Sequence, residues 1–415
     1  MTFYSDSNAR TTYIDPKIYV PQIRASFELD AQEAAYLPNL RMTFIGGTGN
    51  QDDYNRLVGA LAQCRNWRLM DGKQELCALN EAQFYQGFNN VNRSNSINQA
   101  VTSNLECTSL GWSILGENRN IGRVAETLQI NTTTTTANSS YLDLRDIFPM
   151  LNSVSHLPTA VFKNLRIEVE FNTALSQQLS VDTANAFDTL RPVLVADVLE
   201  NPKIVDSLNK QLKVASWLEV EHDQFVIPQS VNNGGAGDQL LEQTVNVQIN
   251  GYNNKRIERL LIVKETTVTA GTLTGTVVDG WGKFGSQACF RQKIQYRVNG
   301  RNLLPRQGIT GNNERLAHVV DTYGDCTAYT GSNMYGMDIS DLVQDGRNYL
   351  GALDYIGVYI GDYINNLQIN FQRTGLQSTF KRRSTTDMLI AHCYADVRKV
   401  FTLLPNGTYN ISYAQ

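Results

Sequence analysis

The densest group of titratable side chains in the sequence consists of Glu219, Glu221, His222 and Asp223. Carboxylates beside an imidazole could serve general acid–base chemistry or hold a metal ion. On a β-strand, however, successive side chains point to opposite faces. Glu219 and Glu221 would then share one face while His222 takes the other, so these side chains could not converge. We therefore interpret the group as the solvated edge of a strand.

Three glycine-rich stretches resemble catalytic motifs without matching them. Residues 111–116 read GWSILG, one residue too long for the G-x-S-x-G nucleophile elbow. Residues 280–284 read GWGKF and resemble the end of a phosphate-binding loop. Phe284 stands where Ser or Thr must hold magnesium, and Val277 replaces the leading glycine. These stretches, and IGGTGN at 45–50, are interpreted as strands and turns.

Metal-binding signatures do not occur in the sequence. None of the four histidines, His156, His222, His318 and His392, pairs with another at metal-ligand spacing, and there is no HxH or HExxH motif. The six cysteines are irregularly spaced and form no CxxC pair, which is typical of buried thiols in a reducing compartment. The sequence therefore predicts no catalytic site, no metal, no cofactor and no enzymatic activity.

The one compact basic run is Lys381-Arg382-Arg383. It could contact DNA, anionic lipid or an acidic neighbour. The alternative is an ordinary solvated loop, and the short length of the run favours that interpretation.

The N-terminus has no apolar core of a signal peptide, and no apolar run approaches the ~18 residues that span a bilayer. We expect synthesis in the cytoplasm or nucleus without secretion through a signal peptide. The N-x-S/T triplets are then expected to stay unmodified. They begin at Asn92, Asn131, Asn138, Asn406 and Asn410.

The bulk composition describes a large, weakly charged protein. The chain has 415 residues, of which 42% are hydrophobic and 18% charged, with a net charge of −4. The charged share lies below the usual ~25%, and about one residue in ten is asparagine. The balance of acids and bases argues against a dedicated nucleic-acid binder. Polar surfaces with little charge fit a protein that packs against copies of itself.

Two segments far apart in the chain repeat one strand pattern. Residues 162–173 read FKNLRIEVEFNT and residues 363–374 read YINNLQINFQRT. Apolar and polar residues alternate in both, which predicts half-buried β-strands. Each begins with an Asn-Leu pair, Asn164-Leu165 and Asn366-Leu367.

Further matches follow in the same order along both halves, which indicates an internal duplication. Asp-Gly and Asn-Gly in one of these matches predict tight hairpin turns. The matches are Phe27 with Val247 and Leu40 with Leu260, at an offset of 220 residues; 70–73 with 298–301; Asn164 with Asn366, at an offset of 202; and 196–198 with 395–397, at an offset of 199.

Each half is predicted to be an all-β unit of about two hundred residues with few helices. Short helices are predicted over 53–64, 201–212 and 313–323. The helix at 201–212, with Asn201 as its cap, would link the halves. Antiparallel units of this size favour the eight-stranded jelly roll. The expected organisation is an N-terminal arm (1–18), a first jelly roll (19–200), the linker helix (201–212) and a second jelly roll (213–415).

The stretch YLDLRDIFPMLNSVSHLPTAVFKNLRIEVEF (141–171) and its echo at 340–371 resemble a known family. They are similar to the double jelly-roll major capsid proteins of tailless icosahedral dsDNA viruses, and most to the polinton-like virus and virophage branch. The lineage also includes adenoviruses. The resemblance covers the duplicated layout of the whole chain but is specific only in these stretches.

The resemblance implies a structural role without catalytic residues. Pseudo-hexagonal homotrimers would tile an icosahedral virion shell, and the N-terminal arm would reach a neighbour or the inner face of that shell. The implied partners are further copies of the chain, penton and minor capsid proteins, and an internal membrane or packaged dsDNA. No small-molecule substrate is implied.

Two alternatives from other functional classes stay open at this point. The first is a two-domain jelly-roll carbohydrate-binding protein or hydrolase, which would need convergent acids or aromatic platforms. The second is a viral spike or minor vertex protein, which more often carries a single roll and a fibrous or membrane-linked tail.

Overall fold

A computed structural model describes residues 9–21, 23–31, 34–47, 61, 64–92, 138–172, 191–227, 241–266, 292–304, 308, 312–323, 356–375 and 389–414. Within them the protein is mostly β, which confirms the predicted all-β class. The helices are α1 (Ala82–Asn92), α2 (Pro202–Gln211) and α3 (Asn312–Tyr323), with two 3-10 turns at Leu144–Asp146 and Pro149–Asn152.

The first half of the chain forms two antiparallel sheets. One has the order β8-β5-β11-β4-β9, with β1 also paired to β11, and the other has the order β2-β3-β10-β6-β7. The strands are β1 (Ala9–Ile14), β2 (Ile18–Val20), β3 (Arg24–Glu28), β4 (Ala35–Tyr36), β5 (Arg41–Gly47), β6 (Cys64–Asp71), β7 (Gln74–Leu79), β8 (Asn138–Asp143), β9 (Leu157–Pro158), β10 (Leu165–Phe171) and β11 (Arg191–Leu199).

The second half forms another two antiparallel sheets. One has the order β12-β19-β14-β17, with β20 also paired to β19, and the other has the order β13-β18-β15-β16. The strands are β12 (Val214–Ile227), β13 (Leu241–Ile249), β14 (Lys255–Thr266), β15 (Gln292–Val298), β16 (Arg301–Asn302), β17 (Ile356–Ile364), β18 (Leu367–Gly375), β19 (Leu389–Leu403) and β20 (Tyr409–Tyr413).

Eight strands of each half occupy matching places. In one sheet β8-β5-β11-β1 corresponds to β17-β14-β19-β12, and in the other β3-β10-β6-β7 corresponds to β13-β18-β15-β16. Both halves also run through these strands in the same chain order. This is the predicted pair of eight-stranded rolls.

The strand register confirms the repeat residue by residue. In the first roll Ile167 pairs with Phe27. In the second roll Ile369 pairs with Val247. These pairs are related by the sequence offsets of 202 and 220 residues. The alternating residues of β10 and β18 therefore point into their rolls at equivalent positions, and Ile167 and Ile369 are both buried.

One match in the repeat was wrong by one residue. The two-residue loop of the second hairpin is Asn299-Gly300, as predicted, whereas the loop of the first hairpin is Gly72-Lys73 and not Asp71-Gly72. Asn299 and Gly300 both have positive φ, as a type I′ turn requires. Among the turn residues of the first hairpin only Gly72 does, which fits a turn with glycine at the first central position. The turn therefore begins at Gly72, one residue later than the Asp-Gly pair predicted.

Both hairpins are tied to the strand that follows a matched asparagine. The backbone N–H of Gly72 donates to the carbonyl of Asn164 (3.0 Å), and that of Asn299 donates to the carbonyl of Asn366 (2.9 Å). The Asp71 carboxylate accepts from the backbone N–H of Asn164 (2.7 Å). Asn164 and Asn366 therefore hold equivalent positions.

The N-terminal segment requires a correction. Residues 1–18 were expected to form an arm outside the first roll, but Ala9–Ile14 pair with β11 as strand β1. This strand holds the place that β12 holds in the second roll. The sequence concealed it because β1 is a sheet edge in which no side chain is fully buried. Residues 1–8 lie outside the described part of the chain, and the other domain boundaries stay predictions.

Two of the expected helices are present. Helix α2 is capped by Asn201, whose side chain accepts from the backbone N–H of Lys203 (3.1 Å), and α3 covers the segment predicted at 313–323. Of the helix predicted over 53–64, the described residues are Leu61 and Cys64, and Cys64 already belongs to strand β6. Helix α1 was not predicted.

Candidate functional site at the junction between the rolls

Most residues singled out for chemistry do not come together. Lys381, Arg382 and Arg383 lie outside the described residues, as do the stretches 111–116 and 280–284. His156 is buried beside Ser155 and Asn209. His318 lies on helix α3. The exception is the strand that carries Glu219 and His222, because it lies against the first roll.

Glu219 is buried at this junction, so its interpretation as a solvated strand edge was wrong. Its carboxylate is 2% exposed. It accepts from the indole N–H of Trp217 (2.7 Å) and, across the junction, from the backbone N–H of Ala78 (2.6 Å) and the thiol of Cys77 (3.0 Å). The Lys399 ammonium lies 3.6 Å away. A strand of each roll therefore shares one buried carboxylate.

The electrostatics of this site are those of a structural contact. Burial raises the pKa of Glu219, and the nearby Lys399 together with the hydrogen bonds opposes that shift. Burial and the adjacent Glu219 hold the pKa of the Cys77 thiol well above its usual value. A thiol in this state is a poor nucleophile at neutral pH. The four donors instead compensate the cost of burying a carboxylate.

A pair of histidines lies on strands β12 and β19 of the second roll. His222 Nε2 is 3.0 Å from His392 Nδ1. The ring of His392 stacks on Phe84 of helix α1 with a centroid distance of 4.4 Å. Burial, followed by the proximity of His392 and Arg65, lowers the pKa of His222 to about 3. His222 is therefore neutral at physiological pH.

Helix α1 also bridges the two rolls. Tyr394 of strand β19 packs against Tyr85 of the helix (centroids 5.2 Å apart) and donates its hydroxyl to the carbonyl of Glu81 (2.7 Å). At the other end of the helix, Phe88 meets Tyr323 of helix α3 edge-to-face at 4.8 Å. Aromatic pairs of this kind contribute about 0.5–1.5 kcal/mol beyond their buried area.

A second aromatic contact closes the opposite side of the junction. Phe162, which precedes strand β10, packs against Phe401 (5.7 Å) and Tyr409 (5.2 Å) of the second roll. Tyr409 donates its hydroxyl to the Asp71 carboxylate of the first hairpin (2.8 Å). The two rolls are therefore joined by buried polar and aromatic contacts as well as by helix α2.

Each roll carries an aspartate at an equivalent position that pairs with an arginine, although Arg41 and Arg259 themselves lie at non-equivalent positions. Asp197 in strand β11 accepts from Arg41 (3.2 Å) and Asn39 (2.6 Å). Asp396 in strand β19 accepts from Arg259 (2.6 Å) and is 2% exposed. The Arg259 guanidinium also lies over the ring of Tyr323 at 4.4 Å. These aspartates belong to the matched Ala-Asp-Val triplets, so the repeat extends to the electrostatics of the fold.

No known protein-family model matches the sequence, and no curated protein matches it significantly. Solved structures do match it along its whole length. A capsid chain of the virus PBCV-1 has a TM-score of 0.55 at 10% identity, with 100% of this chain and 99% of that chain covered. A chain of the Sputnik virophage has a TM-score of 0.54 at 11% identity, with 100% and 90% covered. The mavirus major capsid protein has a TM-score of 0.51 at 9% identity, with 100% and 91% covered.

These neighbours are double jelly-roll capsid proteins. The chain has the double jelly-roll fold. At about one identical residue in ten, the likeness concerns the fold alone.

Within this double jelly roll, the described residues contain no group of three or more His, Cys, Asp or Glu side chains that could hold a metal ion. The same part of the chain contains no helix that is long and apolar enough to cross a membrane. The contacts at the junction fix the position of one roll relative to the other.

Sequence reasoning missed the junction for a physical reason. The partners of Glu219 are Cys77 and Ala78, about 140 residues earlier, and hydrophobic periodicity carries no signal for such pairing. A local signal did exist for helix α1. Phe84, Tyr85, Phe88 and Val91 recur at the i, i+1, i+4, i+7 spacing of an amphipathic helix.

Proposed function

We propose that the chain is a major capsid protein whose homotrimers have a pseudo-hexagonal outline and tile an icosahedral virion shell. The observation that carries the proposal is the likeness of all 415 residues to capsid chains of PBCV-1, Sputnik and mavirus. The role is structural, and the proposal assigns no reaction and no cofactor to the chain.

The internal repeat supplies the geometric reason for a trimer. Two rolls with matching strands give one chain two wedges of similar shape. Three chains around an axis give six wedges, and contacts that are repeated by rotation close into a ring. The duplicated fold thereby approximates the six-fold outline of a lattice position, while sequence divergence lets the two rolls make different contacts.

The surface composition supports wide contacts between copies. Charged residues make up 18% of the chain and about one residue in ten is asparagine, so interfaces can form many hydrogen bonds with little burial of charge. Each subunit should bury more than about 2,000 Å² against its neighbours, as obligate assemblies do.

Further partners are expected because a major capsid protein borders the other components of the virion. Penton and minor capsid proteins would adjoin the trimers. Lys381, Arg382 and Arg383 would face packaged dsDNA or an internal membrane, because a compact cationic run attracts phosphate groups.

Electron microscopy of the negatively stained protein tests this proposal. The expected image is a particle with three-fold symmetry and a hexagonal outline, or sheets of such particles. Isolated monomers with affinity for a glycan array would instead support the alternative of a carbohydrate-binding protein.

A further inference from the structure

Two imidazole rings face each other where helix α1 of the first roll covers the second roll. His222 lies on strand β12 and His392 on strand β19, with Nε2 of the first ring 3.0 Å from Nδ1 of the second. A hydrogen bond at this distance needs a hydrogen on one nitrogen and a lone pair on the other. If both rings were protonated, both nitrogens would carry hydrogens and the rings would repel each other. The contact therefore depends on the protonation of the pair.

The charged groups that approach the pair from the first roll do not stabilise an added proton. The Arg65 guanidinium of strand β6 adds a positive charge near His222. Glu81 holds Arg65 with one carboxylate oxygen (2.5 Å) and the amide of Gln83 with the other (3.0 Å), so both oxygens are engaged. The other side chains packed around the pair are the aromatic rings of Phe84, Tyr85 and Tyr394.

The acidic neighbours of His222 along strand β12 lie on the opposite face of the strand. Glu221 and Asp223 flank His222 in sequence, and successive side chains of a strand alternate between faces. Glu221 is also paired with Lys255. The imidazole therefore faces the first roll without a carboxylate from its own strand beside it.

The rings that hold helix α1 against the second roll are built around this pair. Phe84 of the helix stacks on His392 with a centroid distance of 4.4 Å. Tyr85 packs on Tyr394 at 5.2 Å, and the ring of His222 lies 5.0 Å from the same tyrosine. Separation of the two imidazoles would therefore disturb the surface on which the helix rests.

The rest of the molecule has the means to stay folded when this contact opens. On the opposite side of the junction, Phe162 packs on Phe401 and Tyr409, and none of these rings is an imidazole. The second roll also has a hydrophobic core made of its own residues alone. An opening at helix α1 is therefore separable from unfolding of the sheets.

We infer that the junction is an acid-sensitive contact, in which protonation of the His222–His392 pair releases helix α1 from the second roll while the sheets of both rolls stay intact. The inference concerns a single chain and goes beyond the proposed assembly. It makes the junction a proton sensor within each subunit.

Acid acts on this contact because the closed and open forms differ in proton affinity. In the closed junction the pKa of His222 is lowered to about 3, and in the open junction it returns to the ordinary 6.5. The open form therefore binds the proton more tightly, and its share grows as the pH falls below 6.5. Between about pH 8 and about pH 5 the equilibrium should shift toward the open form by about 30-fold.

Hydrogen–deuterium exchange of the full chain, read by mass spectrometry, tests the inference. The peptide over helix α1 is compared between the wild type and His222→Gln at the same pH, which cancels the chemical effect of pH on exchange. The glutamine keeps a polar amide beside His392 but does not titrate. A helix of 11 residues is marginal without its packing partners, so a released α1 loses protection. The ratio of wild-type to variant exchange rates in α1 should rise by about 30-fold from about pH 8 to about pH 5.

Two further variants keep the test independent of one substitution. His222→Phe retains an aromatic ring without a titrating nitrogen and should give the same result as His222→Gln. His318→Gln removes a histidine of helix α3 outside the pair and should keep the pH dependence of the wild type.

The strands of the two rolls serve as internal references. Peptides over β10 and β18 should stay protected at both pH values, since they belong to the sheets of the first and second roll. An α1 ratio that does not change with pH would overturn the inference. Loss of protection in β10 or β18 together with α1 would overturn it as well, because acid would then unfold a whole roll. Neither readout depends on whether the protein is a trimer, so the proposed function is tested separately.

Discussion

Equivalent positions on the two rolls share one backbone register but differ in the side chains that surround them. His222 and Tyr394 of the second roll lie under helix α1, whereas Tyr13, the counterpart of His222, is 68% exposed. Val195 stands where the larger Tyr394 stands. The backbone thus repeats the roll, and the side chains of each copy determine what it contacts.

The two matched aspartates, Asp197 and Asp396, also differ in their contacts. The Asp197 carboxylate of the first roll shares neutral and charged donors from its own strands and loops. The guanidinium that binds Asp396 also contacts Tyr323 of helix α3. The aspartate shared by the two halves therefore binds only strands and loops of its own sheet in the first roll, whereas in the second roll it is linked through Arg259 to helix α3.

The largest effect on stability is expected from Glu219→Ala, which removes the carboxylate that the two rolls share. Glu219→Ala leaves the Lys399 ammonium, the Trp217 indole and the Ala78 N–H buried without their acceptor. The expected loss is about 3–5 kcal/mol in the free energy of unfolding, measured with urea. The matched control is Glu28→Ala, which breaks an exposed ion pair to Lys17 in the first roll and should cost about 0–1 kcal/mol. Equal losses would show that the junction carries no special share of the stability.

Acid should weaken the junction through His222. Its pKa is lowered to about 3 in the folded protein, from an ordinary 6.5. Between these pH values the unfolded chain binds a proton at His222 that the folded protein does not bind. The contribution of His222 to the free energy of unfolding is therefore fully present above pH ~6.5 and falls by about 2–4 kcal/mol as the pH drops toward 3.

The raised pKa values of Glu219 and Asp396 act in the opposite sense, because their protonation favours the folded state. The test is therefore the difference between His222→Phe and the wild type, with Tyr13→Phe at the equivalent position as control. Unfolding curves should lose part of their pH dependence in the first variant and keep it in the second. A parallel pH dependence in all three proteins would contradict the assignment.

A smaller effect is expected where helix α3 approaches strand β17. A Cβ atom on Gly357 would lie 2.9 Å from the Tyr323 ring, so Gly357→Ala should displace the helix and cost about 1–3 kcal/mol. The register equates Gly357 with Asp143 of the first roll, which carries a full side chain. Adding Tyr323→Leu to Gly357→Ala should return part of the loss, as thermal unfolding would show. Additive losses would place the clash elsewhere.

The smallest effects should be equal in the two rolls. Gly72 has φ +58 and Gly300 has φ +83, a region that costs an L-residue about 1–2 kcal/mol. A Cβ atom meets nothing closer than 3.8 Å at either position. Gly72→Ala and Gly300→Ala should therefore lower the melting temperature by similar amounts. A large inequality would mean that one hairpin is supported by contacts that the other lacks.

Most of the fold could be predicted from the sequence because the internal duplication shows each strand pattern twice. Alternation in β10 alone is common, but its echo in β18, in a series of matches that run in the same order along both halves, indicated which strands correspond. Strand β1 was not predicted, because its position at the sheet edge leaves few apolar residues to alternate. It also displaced the first hairpin by one residue, because Gly72 can serve either central position of a turn.

The junction could not be predicted in the same way. Glu219 looked like a solvent-exposed residue because a carboxylate is rarely buried unless it has partners, and two of its partners, Cys77 and Ala78, come from the other roll. Pairing across 140 residues depends on how two completed rolls pack, which no local pattern records.

Multi-angle light scattering of the purified protein at micromolar concentration tests the central claim most directly. Two equivalent rolls in fixed contact predict a particle with the mass of three chains of 46.4 kDa each. A well-folded monomer as the only species, across several salt concentrations, would contradict the account.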